Sequence, residues 1–452
     1  MSTSSEIALS PASPGIELAK RILCRMFRDF DGSLRICLWD GSEVQMGRDH
    51  PEFSLTFRSV KVFQELILAR DPLCLAESYF QGLIDIDGDF YSALKLRHHL
   101  TSLQLTLIEK AALAANALRI KPDKTASTGS DAPKWAKTFG QKLGISSSKK
   151  LNRDAISFHY DVSNDFYALW LDEQMVYSCA YYEDVGQSLE QAQRDKLDHI
   201  CRKLRLKPGE RLLDIGCGWG ALICWAAEHY GVNAHGITLS QNQYEHVQRT
   251  IQRRGLEQKI SVELLDYRDL LGEAKYDKLV SVGMFEHVGL KNLPSYFEIA
   301  HRLLKPDGLF LNHGITSDEG GWKKTVATEF INRYVFPDGQ METISTVQQI
   351  MEDTGFEIHD VEGLRQHYAL TLREWVNRLE RRHEEALQHV PESVYRIWRL
   401  YMAACAMQFE EGCAGIYQVL ISKRAALSRP VPLTRRDLYD QPRRVSDEIA
   451  AT

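Results

Sequence analysis

Residues 211–230, RLLDIGCGWGALICWAAEHY, constrain the fold more than any other stretch of this 452-residue chain. An apolar run ends in Asp214-Ile215-Gly216-Cys217-Gly218-Trp219-Gly220, and helical spacing begins directly after it. Glycines at alternate positions let the backbone turn sharply and approach a ligand that side chains would exclude. The following helix offers unpaired N–H groups and the positive end of its dipole to whatever sits in the loop. A strand–turn–helix of this kind belongs in a parallel sheet, and residues 152–427 supply one. NAHGITLS, ISVELLDY, YDKLVSVGMF, GLFLNHGI and IYQVLISK read as strands, with helical stretches between most of them. The alternation predicts an α/β fold, a doubly wound, mostly parallel Rossmann-like sheet with helices on both faces.

The spacing narrows the ligand. Dinucleotide binding calls for G-x-G-x-x-G and an acid about 20 residues on, at the end of the next strand. Here the loop is G-x-G-x-G and the next strand ends Gly236-Ile237-Thr238-Leu239-Ser240, without an acid. A compact loop preceded by Asp214 suits the amino acid and ribose of S-adenosylmethionine better. Asp266-Tyr267, closing the third strand, stand where its adenine would lie. Cys217 reads as a space-filler beside the backbone.

Outside this region the chain changes character. Residues 1–15 are Ser- and Pro-rich and are expected to be disordered. Residues 16–120 mix an amphipathic helix, a hairpin around Asp40-Gly41 and further strand and helix patterns, which predicts a smaller N-terminal α+β domain. Residues 121–151 form a polar linker, and Lys134 to Arg153 carry six basic residues and no acidic one. Two readings stay open for it: a solvated linker, or a basic strip touching anionic lipid headgroups. The tail, 428–452, reads as loose. Net charge is −6, so a binder of nucleic acid is not expected. Nine scattered cysteines without a C-x-x-C pair fit a reducing cytosol better than a disulfide framework or zinc site. No apolar run reaches the ~18 residues of a membrane span, and the start lacks the pattern of a signal peptide. The expected location is the cytoplasm, with peripheral contact at the inner face of the membrane if the substrate is a lipid.

Several separated motifs then point the same way. FHYDVSNDFYALWLDEQMVYSCAYYED, LLDIGCGWG, GITLSQNQ, YDKLVSVGMFEHVG, RLLKPDGLFLNHGI and NRYVFPDG together resemble the cyclopropane-fatty-acyl-phospholipid synthases, including the mycolic-acid cyclopropane synthases. The resemblance covers about residues 152–424; LAESYFQGLIDIDGD is more weakly similar to the family's N-terminal domain. It implies a methyltransferase sheet with cofactor contacts from Tyr177, Ser178, Gly216, Gly218, Gly220, Thr238, Leu239, Gln243, Asp266 and Tyr267. It also implies a bicarbonate ion, whose holders fall on Cys179, Glu286, His313, Tyr368 and the backbone of Ile315. The implied substrates are unsaturated phospholipid acyl chains. The N-terminal domain would help deliver them or form a subunit contact in a homo-oligomer.

The chemistry explains the residue types. Methylating a double bond leaves positive charge on the acyl chain. The site must exclude water, stabilise that charge with aromatic faces, and remove a proton from the delivered methyl so that a ring can close. Aromatic residues near the motifs are Phe158, Tyr160, Phe166, Tyr167, Tyr181, Tyr182, Phe285, Trp322, Tyr334 and Phe336. Glu286 and His313 each follow a strand at the edge where α/β ligands bind. His287 reads as structural, and Tyr368 as part of a loop. The stripe Tyr395, Trp398, Tyr401, Met402, Cys405 and Phe409 reads as helical core or as one wall of an acyl channel. No metal-ligand spacing is present. The sequence departs from the family pattern twice: Gln340-Met341-Glu342-Thr343-Ile344 replaces a Pro-Ser step, and His313-Gly314-Ile315 replaces H-T-I or H-S-I. Both bear on the product. A methylene-branched chain, or a methyl-branched one made with a reductase partner, is the alternative to the ring; a lipid-binding protein with an inactive methyltransferase domain is the alternative of another class.

Overall fold

The computed structural model describes residues 14–47, 50–69, 72–120, 162–320, 328–329, 341–424 and 431–439. The linker and Phe158, Tyr160, Trp322, Tyr334 and Phe336 lie outside them. The chain divides into two compact units, Met1–Leu143 with Glu392–Ile397, and Gly144–Pro391 with Trp398–Thr452.

The first unit runs α1 (Pro14–Met26), β1 (Leu34–Cys37), β2 (Glu43–Met46), β3 (Phe53–Phe57), α2 (Val60–Ala69), α3 (Pro72–Phe80), β4 (Ile84–Gly88), α4 (Phe90–Ser102) and α5 (Leu107–Arg119). Its four strands pair in the order β2-β1-β3-β4. The amphipathic pattern of α1 places Ile16, Ala19, Ile22 and Leu23 on one buried face, packed with Leu34, Ile36 and Phe63. Thr106 and Glu109 form a capping box that starts α5: Glu109 N–H donates to Thr106 Oγ1, and Thr106 N–H to Glu109 Oε2 at 2.8 Å.

The second unit holds α6 (Leu189–Lys203), β5 (Arg211–Ile215), α7 (Ala221–Tyr230), β6 (Asn233–Thr238), α8 (Gln241–Arg254), β7 (Ile260–Leu264), β8 (Tyr276–Val282), α9 (Leu293–Leu303), β9 (Leu304–Ser317), α10 (Ile344–Asp353), β10 (Phe356–Gly363), α11 (Arg365–Arg381), α12 (Glu392–Glu411) from Trp398 onward, and β11 (Ala414–Lys423). Its seven strands lie in the order β10-β11-β9-β8-β5-β6-β7. The run β9-β8-β5-β6-β7 is parallel, and β11 is inserted antiparallel between β9 and β10. Chain order reverses between β5 and β8, the place where such sheets bind ligands beyond their carboxyl ends.

Alternate strand residues feed two cores. Leu212, Val280, Leu309, Leu311 and Leu420 face α6, α7 and α8. Leu213, Ile215, Leu279, Phe310, Val419 and Ile421 face α9 and α10. Residues 431–439, read as part of a loose tail, instead pack on this unit. Leu438 is buried, Arg205 pairs with Asp437 at 2.9 Å and Arg435 with Asp360. Composition suggested looseness; two ion pairs, one through the segment's Asp437 and one through its Arg435, hold it to the unit. Among the described residues no helix is long and apolar enough to cross a membrane.

Candidate active site

The loop after β5 turns through Gly216, Gly218 and Gly220, all at positive φ (86°, 54° and 87°), a region side chains rarely adopt. The N–H groups of Gly216 and Cys217 donate to the carbonyl of Ile237 at 3.0 and 2.9 Å, pinning the loop to β6. A Cβ on Gly220 would come within 2.9 Å of Val247, so this glycine lets α7 approach α8.

A cavity opens above the sheet at this point. Tyr177, Ser178, Gly216, Gly218, Thr238, Leu239, Gln243, Asp266 and Tyr267 all line it; Gly220 does not. Thr238 hydroxyl donates to Gln243 Oε1 at 2.7 Å, which fixes both side chains at the mouth of β6. Asp266 is held by Arg268, Nη2 to Oδ2 at 2.6 Å. Asp214, the acid read from the sequence as suiting the cofactor, also lines the cavity, together with Lys196, Arg268 and His287, which the sequence did not mark as contacts. Burial pushes His287 down to about 4, so it stands neutral there. Asp214 is fully buried, its Oδ1 accepts no hydrogen bond from any described residue, and burial pushes its carboxyl up to about 7. An orphaned acid, glycines that bring backbone close to the cavity and the helix start at α7 fit a cofactor bearing an ammonium and a ribose.

The five residues assigned to the anion do not line this cavity. They gather at the same edge of the sheet through Leu364, which the sequence did not mark. Leu364 N–H donates to Ile416 O at 2.8 Å, its carbonyl accepts Tyr368 N–H at 3.1 Å, and Cys179 Sγ lies 3.8 Å from the same carbonyl. Ile416 is the register partner of Ile315. Tyr368 therefore sits in the first turns of α11, not in a loop, and its ring packs 4.8 Å from that of Phe409. Ile315 N–H donates to Glu286 Oε1 at 2.7 Å, while Glu286 Oε2 is buried without a described partner. Burial pushes Glu286 up to about 7.

His313 lies two register pairs along, opposite Gln418. Its Nδ1 is 3.3 Å from Gln418 Nε2, its Nε2 has no described partner, and burial drives it well below its usual value. His313, Gln418 and Glu362 form a row across β9, β11 and β10. Glu362 in turn meets His199 at 2.8 Å and Lys203 at 2.5 Å. Cys217 is buried, and a Cβ on Gly236 would strike its sulfur at 2.8 Å, in keeping with a space-filling role. Burial likewise raises the Cys179 thiol, which is no ready nucleophile.

Residues 147–419 match the mycolic acid cyclopropane synthetase family, more than half of the chain. The chain belongs to that family. Residues 20–101 match a domain of unknown function. A probable fatty acid methyltransferase of Pseudomonas putida is 38% identical over 409 residues, 90% of this chain and 96% of that protein. The cyclopropane-fatty-acyl-phospholipid synthase of Escherichia coli is 40% identical over 267 residues, 59% of this chain and 66% of that protein. Among solved structures, a cyclopropane synthase of Mycobacterium tuberculosis aligns at TM-score 0.57 with 37% identity, covering 60% of this chain and 98% of its own. A mycolic acid cyclopropane synthase complexed with SAH and CTAB aligns equally, with 36% identity and the same coverage. The cyclopropane synthase family has the S-adenosylmethionine-dependent methyltransferase fold, and the sheet described above is that fold.

The aromatic residues divide accordingly. Phe166 and Tyr167 are fully buried, joined to Trp170, Tyr177, Trp375 and Trp398 by ring contacts of 5.2–6.3 Å. Tyr181 instead stacks between His199 and His367, at 4.3 and 5.0 Å. Along α12 the expected stripe is present: Tyr395, Trp398, Tyr401, Met402 and Phe409 are buried and Cys405 partly so. Gly314 departs from the family pattern for a local reason. A Cβ there would lie 1.9 and 2.2 Å from ring atoms of Phe285, which occupies the space of the missing side chain. The other departure leads into α10, which Thr343 caps.

Proposed function

We propose that this enzyme transfers a methylene group from S-adenosylmethionine to a cis double bond of a phospholipid acyl chain and closes a cyclopropane ring. The observation that carries the reading is the pairing of Glu286 with Ile315 beside His313 at the ligand-binding edge of the sheet. It leaves one carboxylate oxygen and one imidazole nitrogen buried and uncommitted among the described residues. A small anion with both a hydroxyl and acceptor oxygens suits that donor and acceptor set. Bicarbonate, when bound, supplies a base; S-adenosylmethionine supplies the methyl.

The chain's own residues do the rest. Glu286, once ionised, accepts a hydrogen bond through Oε2 while Ile315 holds Oε1. His313 is kept neutral by its burial and can donate through Nε2 when Gln418 donates to Nδ1. Cys179 and Tyr368 are positioned through Leu364. Tyr177 lines the cofactor cavity with Trp375 packed 5.2 Å behind it, and an aromatic face there stabilises a desolvated positive charge by ~2 kcal/mol. Dense burial of the surrounding rings excludes water, which would trap the charge.

Contact with a membrane surface follows from a phospholipid substrate. Its support is α5, which exposes Leu107, Ile108 and Leu118 beside Lys110 and Arg119, a combination suited to anionic lipid. A second reading, a methylene- or methyl-branched product, is favoured by the name and 90% coverage of the Pseudomonas putida relative. The branched methyl product requires a reductase partner.

Lipids from a host lacking its own such enzyme, but expressing this one, decide between these. Mass spectrometry should show a gain of one CH2, and proton NMR upfield cyclopropyl signals. Olefinic methylene signals would move the enzyme to the branching reading, and unchanged lipids would overturn both.

A further inference from the structure

Residues 176–182 belong to no strand, yet Cys179 and Ala180 within them are fully buried. A buried segment without a sheet neighbour must find partners for its backbone groups elsewhere. Here two helices supply them one by one. From α6, Gln193 Nε2 donates to Ser178 O at 2.9 Å, and the carbonyl of Ala192 accepts Tyr181 N–H at 3.0 Å. From α11, Thr371 Oγ1 accepts Ala180 N–H at 3.1 Å, and His367 Nδ1 accepts Tyr182 N–H at 3.0 Å. Burial lowers His367, so its ring stays neutral and Nδ1 keeps the lone pair this bond needs.

This strap joins two parts of the site. Tyr177 and Ser178 line the cofactor cavity, and the next residue, Cys179, belongs to the anion set. The bond from Gln193 holds the strap on the cofactor side, at Ser178; the bond to Thr371 falls directly after Cys179. Thr371 is fully buried in α11, on a face it shares with Tyr368, Leu372 and Trp375, where an apolar side chain would pack as well. A threonine inside a helix often bonds back to its own helix, and Thr371 does so, donating to His367 O at 2.7 Å. That bond uses the hydroxyl hydrogen. The oxygen is left to accept from the strap.

We propose that Thr371 is a positioning residue: by holding Ala180 N–H it places Cys179 for the anion, independently of how the cofactor is held. The inference rests on the bicarbonate reading and adds to it a residue that touches neither ligand. His367, one turn earlier in α11, is a second anchor of the same strap, at Tyr182.

Calorimetry on the full chain tests it with two ligands in degassed buffer: S-adenosylhomocysteine, then sodium bicarbonate added to the saturated complex. Thr371→Val keeps the shape of the side chain and removes the acceptor. It should weaken bicarbonate about 10- to 100-fold, the scale of an orphaned buried N–H, and lower kcat with it. S-adenosylhomocysteine should bind that variant within about threefold of wild type, by the same affinity scale. Thr371→Ser restores the oxygen and should recover most of the bicarbonate affinity. Equal weakening of both ligands in Thr371→Val would show a merely structural threonine and overturn the proposal, as would unchanged bicarbonate binding. Should Thr371→Val not fold, His367→Phe takes its place and must show the same split, with recovery in His367→Asn, whose Oδ1 replaces Nδ1. An even loss of both ligands there overturns the proposal too. Wild type that binds S-adenosylhomocysteine but no bicarbonate would overturn the bicarbonate reading itself, and this inference with it.

Discussion

Glu286 accepts the backbone N–H of Ile315 at 2.7 Å, and this hydrogen bond joins the turn after β8 to the carboxyl end of β9. It gives the carboxylate a fixed orientation while burial resists its ionisation, leaving it near 7. If Glu286 must be ionised to accept a hydrogen bond through Oε2, activity should rise with pH through about 7. Glu286→Gln should remove that limb and lower kcat by about 100-fold or more, the scale of a misplaced catalytic proton acceptor. The stability effect has the opposite sign. A folded-state value above the unfolded one gives stability that is full below about 4.5 and lost as pH rises through about 7. Wild type should therefore lose stability to urea from pH 5 to 8 relative to the Gln variant. Equal slopes in the two proteins would refute the assignment.

Gly314 and Phe285 compete for one space. Gly314→Ala should cost about 1–3 kcal/mol of stability, because the ring or the strand must shift. Phe285→Leu in the same chain should recover part of the loss, so that the double variant is more stable than the two single effects added together. Chemical denaturation of the four proteins measures it; simple additivity would mean that the two sites do not interact.

The row from His313 to Glu362 ends in a buried cation. Burial alone would raise Glu362, but the His199 hydrogen bond and the Lys203 charge outweigh it and hold the group at about 2. A depressed value gives stability present above about 4.5 and lost as pH falls toward 2. Glu362→Gln should destabilise the protein at pH 7 by about 3 kcal/mol, because Lys203 would keep only Asp360, at 3.5 Å. The loss should shrink in acid, which thermal melts at pH 7 and pH 4 would register.

Thiol labelling separates the cysteines by position. Cys24 and Cys413 are exposed, whereas Cys179, Cys201 and Cys217 are buried with their thiols raised. Iodoacetamide at pH 8 should modify the first two in the native protein and reach the other three only in denaturant. Fast native labelling of Cys179, read by peptide mass spectrometry, would contradict the packing that places it against Leu364.

Much of this was legible in the residues, for identifiable reasons. The Gly216-Gly218-Gly220 turn needs positive φ and helix contact, so sequence and geometry say the same thing there. The strands are continuous apolar runs because both faces of the sheet are covered. Lys196 was harder: in LEQAQRDKLDHICRK a lysine looks like part of a solvated face. Yet it falls on the stripe Leu189, Ala192, Gln193, Leu197 and Ile200, all buried, and a charge on an inner stripe is itself a signal. Tyr368 reads as a loop residue because no cap residue marks the helix start; Leu364, which precedes α11, gives no side-chain cap. Gln418 and Leu364 could not be found from spacing. Their importance comes from the register of β11 against its two neighbours, which is long-range information.

β11 is the last strand of its sheet in chain order, yet it lies inside the sheet, between β9 and β10. A ribosome that has completed the cofactor loop, Glu286 and His313 has still not made the strand that sets Gln418 beside that histidine. Until residues 414–423 emerge, β9 and β10 lack the strand between them and present unpaired edges, which invite pairing with other chains. The contact between Gln418 and His313 thus waits until residues 414–423 have been made, and a nascent chain cut short before Ala414 lacks it and keeps two open strand edges.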